Sequence, residues 1–551
     1  MKIRHIILLI FFFTAASCSN DLEQLPISFT SPENVYKTEN DFKLALAGCY
    51  EVLNTTYVSG GNNVSDGTYA SGLFYMMEGP SDVVLGINPA ESMSFEKATY
   101  LPTNQNILKH WQAFYTGISR CNFLLDRINN SKIPEPLKIQ ISGEARFMRA
   151  FYYNHLATLF GGIPVLTSSK PETYAARAKL KDVYTLIISD FDFAYKNLGS
   201  TGIFGSSANK WTAGAYLGSV YNYLASCKRY MVGKSLLTDA NQLNSFDWVN
   251  EDEASSKAVQ VLQDVVNTSP YVLVSKSKYP LLFREASKLV QKEECLFMSE
   301  WSESLADNYL NIQNTFTPVG NSYLVRGSYG RFIPTTRLYY SYVAGDIRRD
   351  MFITGRFDIK TATQETVDGA TYMKPNSSSF NSNLNWQVGK YRVTTLGFYP
   401  NHSRYDCSLN HPLMRMADVV LQLSEALYFT GNESKARLLF NDIRTRVLGN
   451  NTTLQDLNTG YFNSDFVTEL LDERKRELCF ESKRRIDLIR FDRTTEAISS
   501  LTPRPGESNI GSSLKVAVPD LQNNWQYYKI WLPIPQGEID LNPNLSQNTG
   551  W

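Results

Sequence analysis

The segment from residue 143 to 166, GEARFMRAFYYNHLATLFGGIPVL, constrains the fold of this chain more than any other. Its apolar residues recur at steps of three and four, which predicts one helix with two adjacent apolar faces. One face carries Ala145, Met148, Tyr152, Leu156 and Leu159, and the other carries Phe147, Phe151, His155 and Phe160. A helix that is apolar over most of its circumference is buried among its neighbours. Gly161 and Gly162, followed by Pro164, predict its end.

Seven further segments show helical periodicity, and most follow one another as pairs. They are residues 39–52, 104–128, 180–198, 210–227, 254–266, 411–430 and 432–447. Helix pairs of roughly 35 to 50 residues are typical of tetratricopeptide-like repeats. The composition, with 43% hydrophobic and 20% charged residues, lies in the globular range. The sequence therefore predicts a mainly α protein, in which tetratricopeptide-like hairpins form a solenoid scaffold and irregular loop-rich segments pack on it.

Two long stretches, about 53–103 and 270–410, lack helical periodicity and are rich in glycine, asparagine and aromatic residues. Glycine-rich backbone of this kind predicts a loop surface with exposed rings rather than a core. Within the second stretch, Glu294–Glu300 (ECLFMSE) predicts a short strand. The chain contains 32 Tyr and 8 Trp. Such amphipathic rings suit sugar stacking or an interface, but a large helical core also uses tyrosine.

The N-terminus has the three parts of a secretory signal peptide. Lys2 and Arg4 precede an apolar run over residues 6–13, and small residues then lead to Cys18. A cysteine in this position resembles the bacterial lipoprotein box, so we expect cleavage of residues 1–17 and lipidation of Cys18. Residues 18–34 are polar and predict a lipidated tether. The acidic residues directly after Cys18 resemble the signal that directs lipoproteins to the exterior of the outer membrane.

Charge and cysteine spacing exclude several functional classes. Removing residues 1–17 leaves 52 basic and 54 acidic residues, a net charge of −2, which provides no basic field for nucleic acid. The other six cysteines show no zinc-ligand spacing, so we predict no zinc knuckle, no metal site among the ligand-binding residues and no cofactor, while a structural metal ion stays open. These six are Cys49, Cys121, Cys227, Cys295, Cys407 and Cys479. They could pair in 15 ways, but small buried thiols are the favoured interpretation for most of them.

No constellation of residues indicates catalysis. The histidines show no HExxH or HxH spacing, and no GxSxG or phosphate-binding loop is present. His155 lies on an apolar helix face, which is typical of a core residue. Glu473, Glu477 and Glu481 form a column of carboxylates, but each has an arginine within one turn. Paired acids lose the raised pKa that a general acid needs, so we predict no catalytic residue.

Six separated motifs resemble the SusD/RagB family and occur in the family order. They include the 143–166 segment, the helix with Trp111 and Tyr115, GDIRR at 345–349 and MADVVLQLSEA at 416–426. Two C-terminal motifs are the most specific, ERKRELCFESKRRIDLIR at 473–490 and LPIPQGEI at 532–539 with QNTG at 547–550. Ser482 replaces the usual glycine of the first, and Thr549 replaces the usual proline of the second. The GDIRR segment is expected to be a structural ion-pair site.

The resemblance implies a function at the cell surface. Members of this family bind glycans beside a SusC-like TonB-dependent outer-membrane transporter, on which they sit as a lid. We therefore expect non-catalytic capture of an oligo- or polysaccharide, with membrane anchoring through the lipid on Cys18. The expected SusD-like domain spans residues 35–551, with its helical scaffold at about 104–268 and 411–490. Its ligand face is expected from the irregular segments at about 53–103 and 270–410.

Six side chains in the irregular segments are predicted to contact the ligand. They are Tyr69, Tyr75, Asp82, Tyr100, Trp301 and Tyr323. Aromatic faces stack on the CH faces of sugars, and carboxylates accept hydrogen bonds from hydroxyl groups. Trp301 is the strongest candidate because it follows a short predicted strand and belongs to no core stripe.

Two other functions remain open at this level. The solenoid could be a scaffold that binds a peptide or a protein. A surface enzyme acting on glycans would need two carboxylates brought together in three dimensions, which the sequence does not exclude.

Overall fold

The computed structural model describes residues 36–53, 73–86, 93–284, 288–300, 332–354, 386–391, 409–502 and 517–551, together with the backbone of four short strands. Cys18, the signal peptide and the tether lie outside the described residues, so their predicted roles stay predictions. In the part of the chain that is described, no helix is long and apolar enough to cross a membrane.

Helices dominate the described chain. They are α1 (Glu39–Glu51), α2 (Leu73–Glu78), α3 (Met93–Glu96), α4 (Gln105–Ile128), α5 (Glu135–Phe160), α6 (Leu180–Asn197), α7 (Lys210–Arg229), α8 (Glu251–Thr268), α9 (Lys288–Glu294), α10 (Thr336–Tyr340), α11 (Arg348–Phe352), α12 (Met416–Phe429), α13 (Glu433–Thr445), α14 (Leu454–Tyr461), α15 (Phe466–Leu478), α16 (Arg484–Arg490), α17 (Thr494–Ser499), α18 (Ala517–Asn524) and α19 (Gln536–Leu541). Consecutive long helices pack as hairpins: α4 on α5, α6 on α7, and α12 on α13. The predicted solenoid of tetratricopeptide-like hairpins is confirmed.

The described strands are short and form antiparallel pairs. They are β1 (Val58–Ser59), β2 (Asn62–Asn63), β3 (Val84–Gly86), β4 (Cys295–Ser299), β5 (Phe332–Pro334), β6 (Ile353–Thr354), β7 (Gln364–Val367), β8 (Ala370–Met373), β9 (Gln387–Val388) and β10 (His411–Arg415). The pairs are β1–β2, β3–β5, β4–β10, β6–β9 and β7–β8. Of these, β4–β10 joins the second irregular region to the scaffold, β3–β5 joins the two irregular regions to each other, and β6–β9 lies within the second. The predicted strand at 294–300 is confirmed as β4.

Helix starts follow local capping chemistry. Asn104, Asn209, Asn250 and Asn432 each accept a hydrogen bond from a backbone N–H of the first turn. These side chains satisfy donors that would otherwise be unpaired at a helix N-terminus. Thr38 and Thr453 complete reciprocal capping boxes with an aspartate three residues later.

The predicted central helix is confirmed as α5, although it begins at Glu135 rather than at residue 143. Pro136 lies in its first turn, where the missing N–H has no intrahelical partner to lose. Gly161 ends it with φ of 78°, a backbone conformation that favours glycine. The rings of Phe147 and Phe151 pack against Phe297 of β4 and other aromatic side chains. Both apolar faces of α5 are therefore buried, as predicted.

The charged residues near the start of the central helix have partners. Arg149 forms a two-point ion pair with Asp190, at 2.7 Å from Nε and 2.9 Å from Nη2, and Glu144 accepts a hydrogen bond from Tyr50 Oη at 3.0 Å. Glu144 and Asp190 are fully buried. These contacts fasten α5 to α6 and α1.

Cysteine chemistry agrees with the simpler prediction. Cys49, Cys121, Cys227, Cys295 and Cys479 are buried free thiols, whereas Cys18 and Cys407 lie outside the described residues.

Two local expectations are wrong. Residues 411–415, predicted as the start of a helix, form β10 because they pair with β4, and α12 begins only at Met416. Glu481 does not continue the carboxylate column of Glu473 and Glu477 along one helix, and it does not pair with Arg485 four residues later. Helix α15 ends at Leu478, and the turn that follows places Glu481 beside Arg415. The Arg485 side chain instead donates hydrogen bonds to backbone carbonyl oxygens. Ser482 in this turn has φ of 60°, which explains why glycine suits the position.

A buried ion-pair network connects parts of the C-terminal half of the chain, between residues 294 and 481. Six cationic side chains, Arg348, Lys390, Arg415, Arg444, Arg446 and Arg476, pair with six anionic ones, Glu294, Asp346, Glu469, Glu473, Glu477 and Glu481. All twelve are buried, and their formal charges cancel. The expectation that GDIRR is a structural ion-pair site is confirmed, because Arg348 binds Asp346, Glu473 and Glu477.

Glu78 lies near this network but has no cationic partner among the described residues. Its side chain is fully buried, and Oε1 accepts a hydrogen bond of 2.6 Å from the backbone N–H of Ser482. Burial raises the pKa of the Glu78 carboxyl to about 8. The folded protein therefore holds this carboxyl neutral at pH values where the unfolded chain ionises it.

This raised pKa makes stability fall as the pH rises, because the folded state binds more protons than the unfolded state. Between pH 5 and 8 the contribution of Glu78 to the free energy of unfolding falls by up to about 1.4 kcal/mol per pH unit. In Glu78→Gln we expect a weaker decline in the free energy of unfolding across this range, measured by denaturant titration at pH 5, 6.5 and 8. Glu433→Gln, at an exposed position, should keep the wild-type slope. An unchanged slope in Glu78→Gln would show that Glu78 ionises normally.

Candidate functional site

Three aromatic side chains, Tyr339, Tyr340 and Trp386, form a cluster that we call the aromatic platform. The rings of Tyr339 and Trp386 stack with their centroids 4.2 Å apart and an interplanar angle of 27°. Tyr340 meets Tyr339 edge to face at 5.2 Å. Trp386 is buried, Tyr339 is half-buried and Tyr340 is 67% exposed. A buried ring thus supports a ring that is open to solvent.

Charged side chains lie at the edge of this platform. The guanidinium of Arg349 sits over the Tyr339 ring at 5.4 Å from its centroid. Its Nε donates to Asp350 Oδ1 at 2.8 Å, and the Asp350 side chain is 62% exposed. The rim therefore offers both hydrogen-bond donors and acceptors beside an open aromatic face.

The short helix α10 carries both tyrosines and is fixed at its start. Thr335 caps it by accepting from the Leu338 N–H at 3.1 Å, and donates its hydroxyl to the carbonyl oxygen of Asp82 at 2.5 Å. The strand pair β3–β5 places residues 84–86 beside residues 332–334. A segment from the first irregular region thereby positions the platform of the second.

Asp82 holds this junction electrostatically. Its carboxylate forms a two-point pair with Arg484 at 2.6 and 2.9 Å, accepts from Arg337 Nε at 3.1 Å, and lies 3.8 Å from Lys475 Nζ. Burial alone would raise the pKa of Asp82. The surrounding positive charges outweigh burial and hold the pKa well below its usual range. Asp82 is therefore ionised and structural.

Of the six predicted ligand contacts, three are buried and three lie outside the described residues. Tyr75 and Tyr100 are buried at 2% and 1% exposure, and Asp82 is fully buried. The expectation of exposed rings in this segment is wrong for Tyr75 and Tyr100, because they pack in the core against Phe332 and Phe95. None of these three side chains faces solvent for direct contact with a ligand. Tyr69, Trp301 and Tyr323 lie outside the described residues, and their roles stay predictions.

The sequence did not single out Tyr340, although Tyr339, Tyr340 and Trp386 all lie in the irregular segment at about 270–410. Tyr339 and Tyr340 are adjacent in the sequence, so hydrophobic periodicity does not show that one is half-buried and the other exposed. Only the pairing of β9 with β6, and of β5 with β3, brings Trp386 to α10.

Neither the carboxylate column nor the histidines suggest a catalytic centre. Glu473 and Glu477 are fully buried within the ion-pair network, where neighbouring arginines hold their pKa values below the usual range despite burial. His155 has its pKa lowered to about 4 by burial, and its Nδ1 lies 2.9 Å from the Phe151 carbonyl oxygen. Among the described residues, no group of three or more His, Cys, Asp or Glu could hold a metal ion.

The fold and site together define a helical solenoid protein that presents an exposed aromatic platform. Residues 306–551 match the model of the SusD family, and residues 53–222 match a second model described as starch-binding associating with outer membrane. The chain belongs to the SusD/RagB family.

The similarity between this chain and known proteins covers nearly its whole length. SusD-like protein P2 of Formosa agariphila is 25% identical to this chain. The alignment covers 99% of this chain and 98% of that protein. A SusD superfamily protein of Bacteroides vulgatus has a similar structure, with a TM-score of 0.70, 20% identity and coverage of 94% of this chain and 100% of that one. A laminarin-binding SusD-like protein has a TM-score of 0.65 at 21% identity, with 94% and 100% covered. The structural similarities establish a shared fold.

Proposed function

We propose that this protein captures an oligo- or polysaccharide at the cell surface without cleaving it and delivers it to a SusC-like TonB-dependent transporter. The aromatic platform is the observation that carries the proposal. Tyr340 offers an open ring on a rigid support, and such rings stack on the CH faces of sugar units. Arg349 and Asp350 are placed to bond hydroxyl groups. Shallow sites of this kind bind on the order of micromolar to millimolar.

The family comparisons support this proposal from a second direction. One matching family model is described as starch-binding, and one solved structure with this fold is titled a laminarin-binding protein. We propose the same general ligand class, glucans or related polysaccharides, for this chain. We also propose anchoring in the outer membrane through lipid on Cys18. In this arrangement residues 104–268 and 411–490 are the scaffold, and the irregular segments face the ligand.

Tyr340→Ala is expected to weaken binding of the recognised polysaccharide at least about tenfold, the equivalent of about 1.4 kcal/mol. The loss follows because the exposed stacking face disappears while the buried Trp386 stays in place. Isothermal titration with soluble oligosaccharides of that glycan measures it.

Phe462→Ala is the matched control, since Phe462 is 66% exposed on another part of the scaffold. Its affinity should equal that of the wild type. Unchanged affinity in Tyr340→Ala, together with loss in Trp301→Ala, would move the site away from the platform. Release of new reducing ends from the glycan would contradict the non-catalytic proposal.

A further inference from the structure

A partly open cavity of about 100 Å³ lies in the scaffold, between α5, α7, α12 and α16. It shares no residue with the aromatic platform. One part of its wall is apolar and is formed by Met77, Val220, Leu413, Met414 and Ile486. The rest is polar. Five of the lining residues, Asn154, His155, Ser219, Lys483 and Ile486, are half-buried, so the opening lies among the middles of α5 and α7 and the start of α16.

Asp418 Oδ2, in this wall, lies 3.3 Å from Lys483 Nζ, whereas two buried oxygens of neutral side chains lack hydrogen-bond partners among the described residues. They are Gln422 Oε1 and Ser482 Oγ, in side chains that are at least nine-tenths buried. Gln422 Nε2 donates to Asp418 Oδ1 at 2.9 Å, which orients the amide oxygen away from that carboxylate. A buried polar atom without a partner costs about 1–3 kcal/mol. A ligand that donates hydrogen bonds would remove this cost.

The charges around the cavity argue against an ionic ligand. Three anionic residues, Asp418, Glu481 and Asp487, and three cationic residues, Arg474, Lys483 and Arg490, line it. Each is paired within the protein, for example Arg474 with Asp418 and Asp487, both at 2.8 Å. The imidazole of His155 is neutral at physiological pH because burial lowers its pKa to about 4. The lining has no net charge and no unpaired ion to offer.

We propose that this cavity binds a small neutral polyhydroxy compound of about three to five carbon atoms, a size set by room for several water-sized groups. Its CH groups lie on the Val220 and Ile486 side, and its hydroxyl groups donate to Gln422 and Ser482. A mixed wall of this type, largely apolar with a few convergent polar groups, is typical of small-molecule sites. Water in the cavity would make no apolar contact with the apolar part of the wall, whereas the CH groups of a polyhydroxy compound would.

The test uses the chain from Ser19 onward and the probes glycerol, erythritol and xylitol. Saturation-transfer NMR measures direct binding, because polyols also raise thermal stability non-specifically by exclusion from protein surfaces. We expect saturable binding of at least one probe. Ser219→Leu and Asn154→Leu, which narrow the opening from two different helices, should each weaken it at least about tenfold. Ser256→Leu, on the exposed side of α8, should leave it unchanged.

No saturable signal from any probe would overturn the proposal and leave a cavity filled by water. Equal affinity in wild type, Ser219→Leu and Asn154→Leu would also overturn it, because the probe would then bind elsewhere. Retention by polysaccharide is expected to be unchanged in Ser219→Leu. The cavity proposal and the surface-capture proposal can therefore fail independently.

Discussion

Glu477→Leu is expected to lower the free energy of unfolding by about 3–5 kcal/mol or to prevent folding altogether. The Glu477 carboxylate is fully buried and accepts hydrogen bonds from Arg348, Arg415 and Arg446 at 2.8 to 3.0 Å. Removing it leaves three buried guanidinium groups with one negative charge too few. Isolated buried charges are far more costly than a missing neutral contact, since no water replaces the lost partner.

Denaturant unfolding followed by circular dichroism measures this loss. The control is Glu51→Leu, because Glu51 pairs with Arg120 at the surface, where both side chains are more than 40% exposed. Surface pairs contribute little, so this variant should unfold close to the wild type. If Glu477→Leu were as stable as Glu51→Leu, the ion-pair network would not hold the C-terminal half of the scaffold together.

Asp82→Asn is expected to reduce both stability and glycan affinity. The substitution keeps the size of the side chain but leaves the buried Arg484 without its ion-pair partner, whereas Lys475 keeps its ion pair with Asp472 at 2.8 Å. A loss of about 3–5 kcal/mol is expected from breaking a buried pair. Because the Asp82 carboxylate also accepts a hydrogen bond from Arg337 of α10, the platform should lose part of its alignment as well, while Thr335 keeps its bond to the Asp82 backbone carbonyl.

The pH dependence gives an independent readout for Asp82. Its folded pKa lies below that of the unfolded chain, so its stabilising contribution is complete above the unfolded value, near 4, and is lost as the pH falls below it. Asp82→Asn should therefore lose less stability than the wild type on acidification from pH 5 to pH 3. Asp182→Asn, at an exposed position of α6, should show the wild-type profile. A wild-type acid profile in Asp82→Asn would contradict the ionised, structural role.

Local sequence signals were sufficient to predict most of the long helices of the scaffold. The long helices were predicted from periodicity, and the end of α5 from Gly161 and Gly162, because both signals depend on residues a few positions apart. The partners of buried charges could not be predicted in this way. Arg348 meets Glu473 across 125 positions of the chain, and Arg415 meets Glu481 across 66. The sequence indicated that the glutamates are structural, but not which cations neutralise them.

The irregular segments were harder to interpret because loop composition does not report burial. Tyr75 and Tyr100 occur among glycines, yet β3 pairs with β5 and draws their segment into the core. Asp82 was noted as a ligand contact, whereas it anchors the helix that carries the exposed ring. That the irregular segments form the ligand face stays a prediction. Which side chains point outward was decided by pairings between strands about 250 residues apart.

Affinity electrophoresis of the chain from Ser19 onward, in gels that contain starch, laminarin or other polysaccharides, tests the central claim most directly. We predict retarded migration with at least one glycan, reversal of that retardation in Tyr340→Ala, and no new reducing ends after incubation. Unretarded migration in every gel would contradict capture of a polysaccharide by this protein.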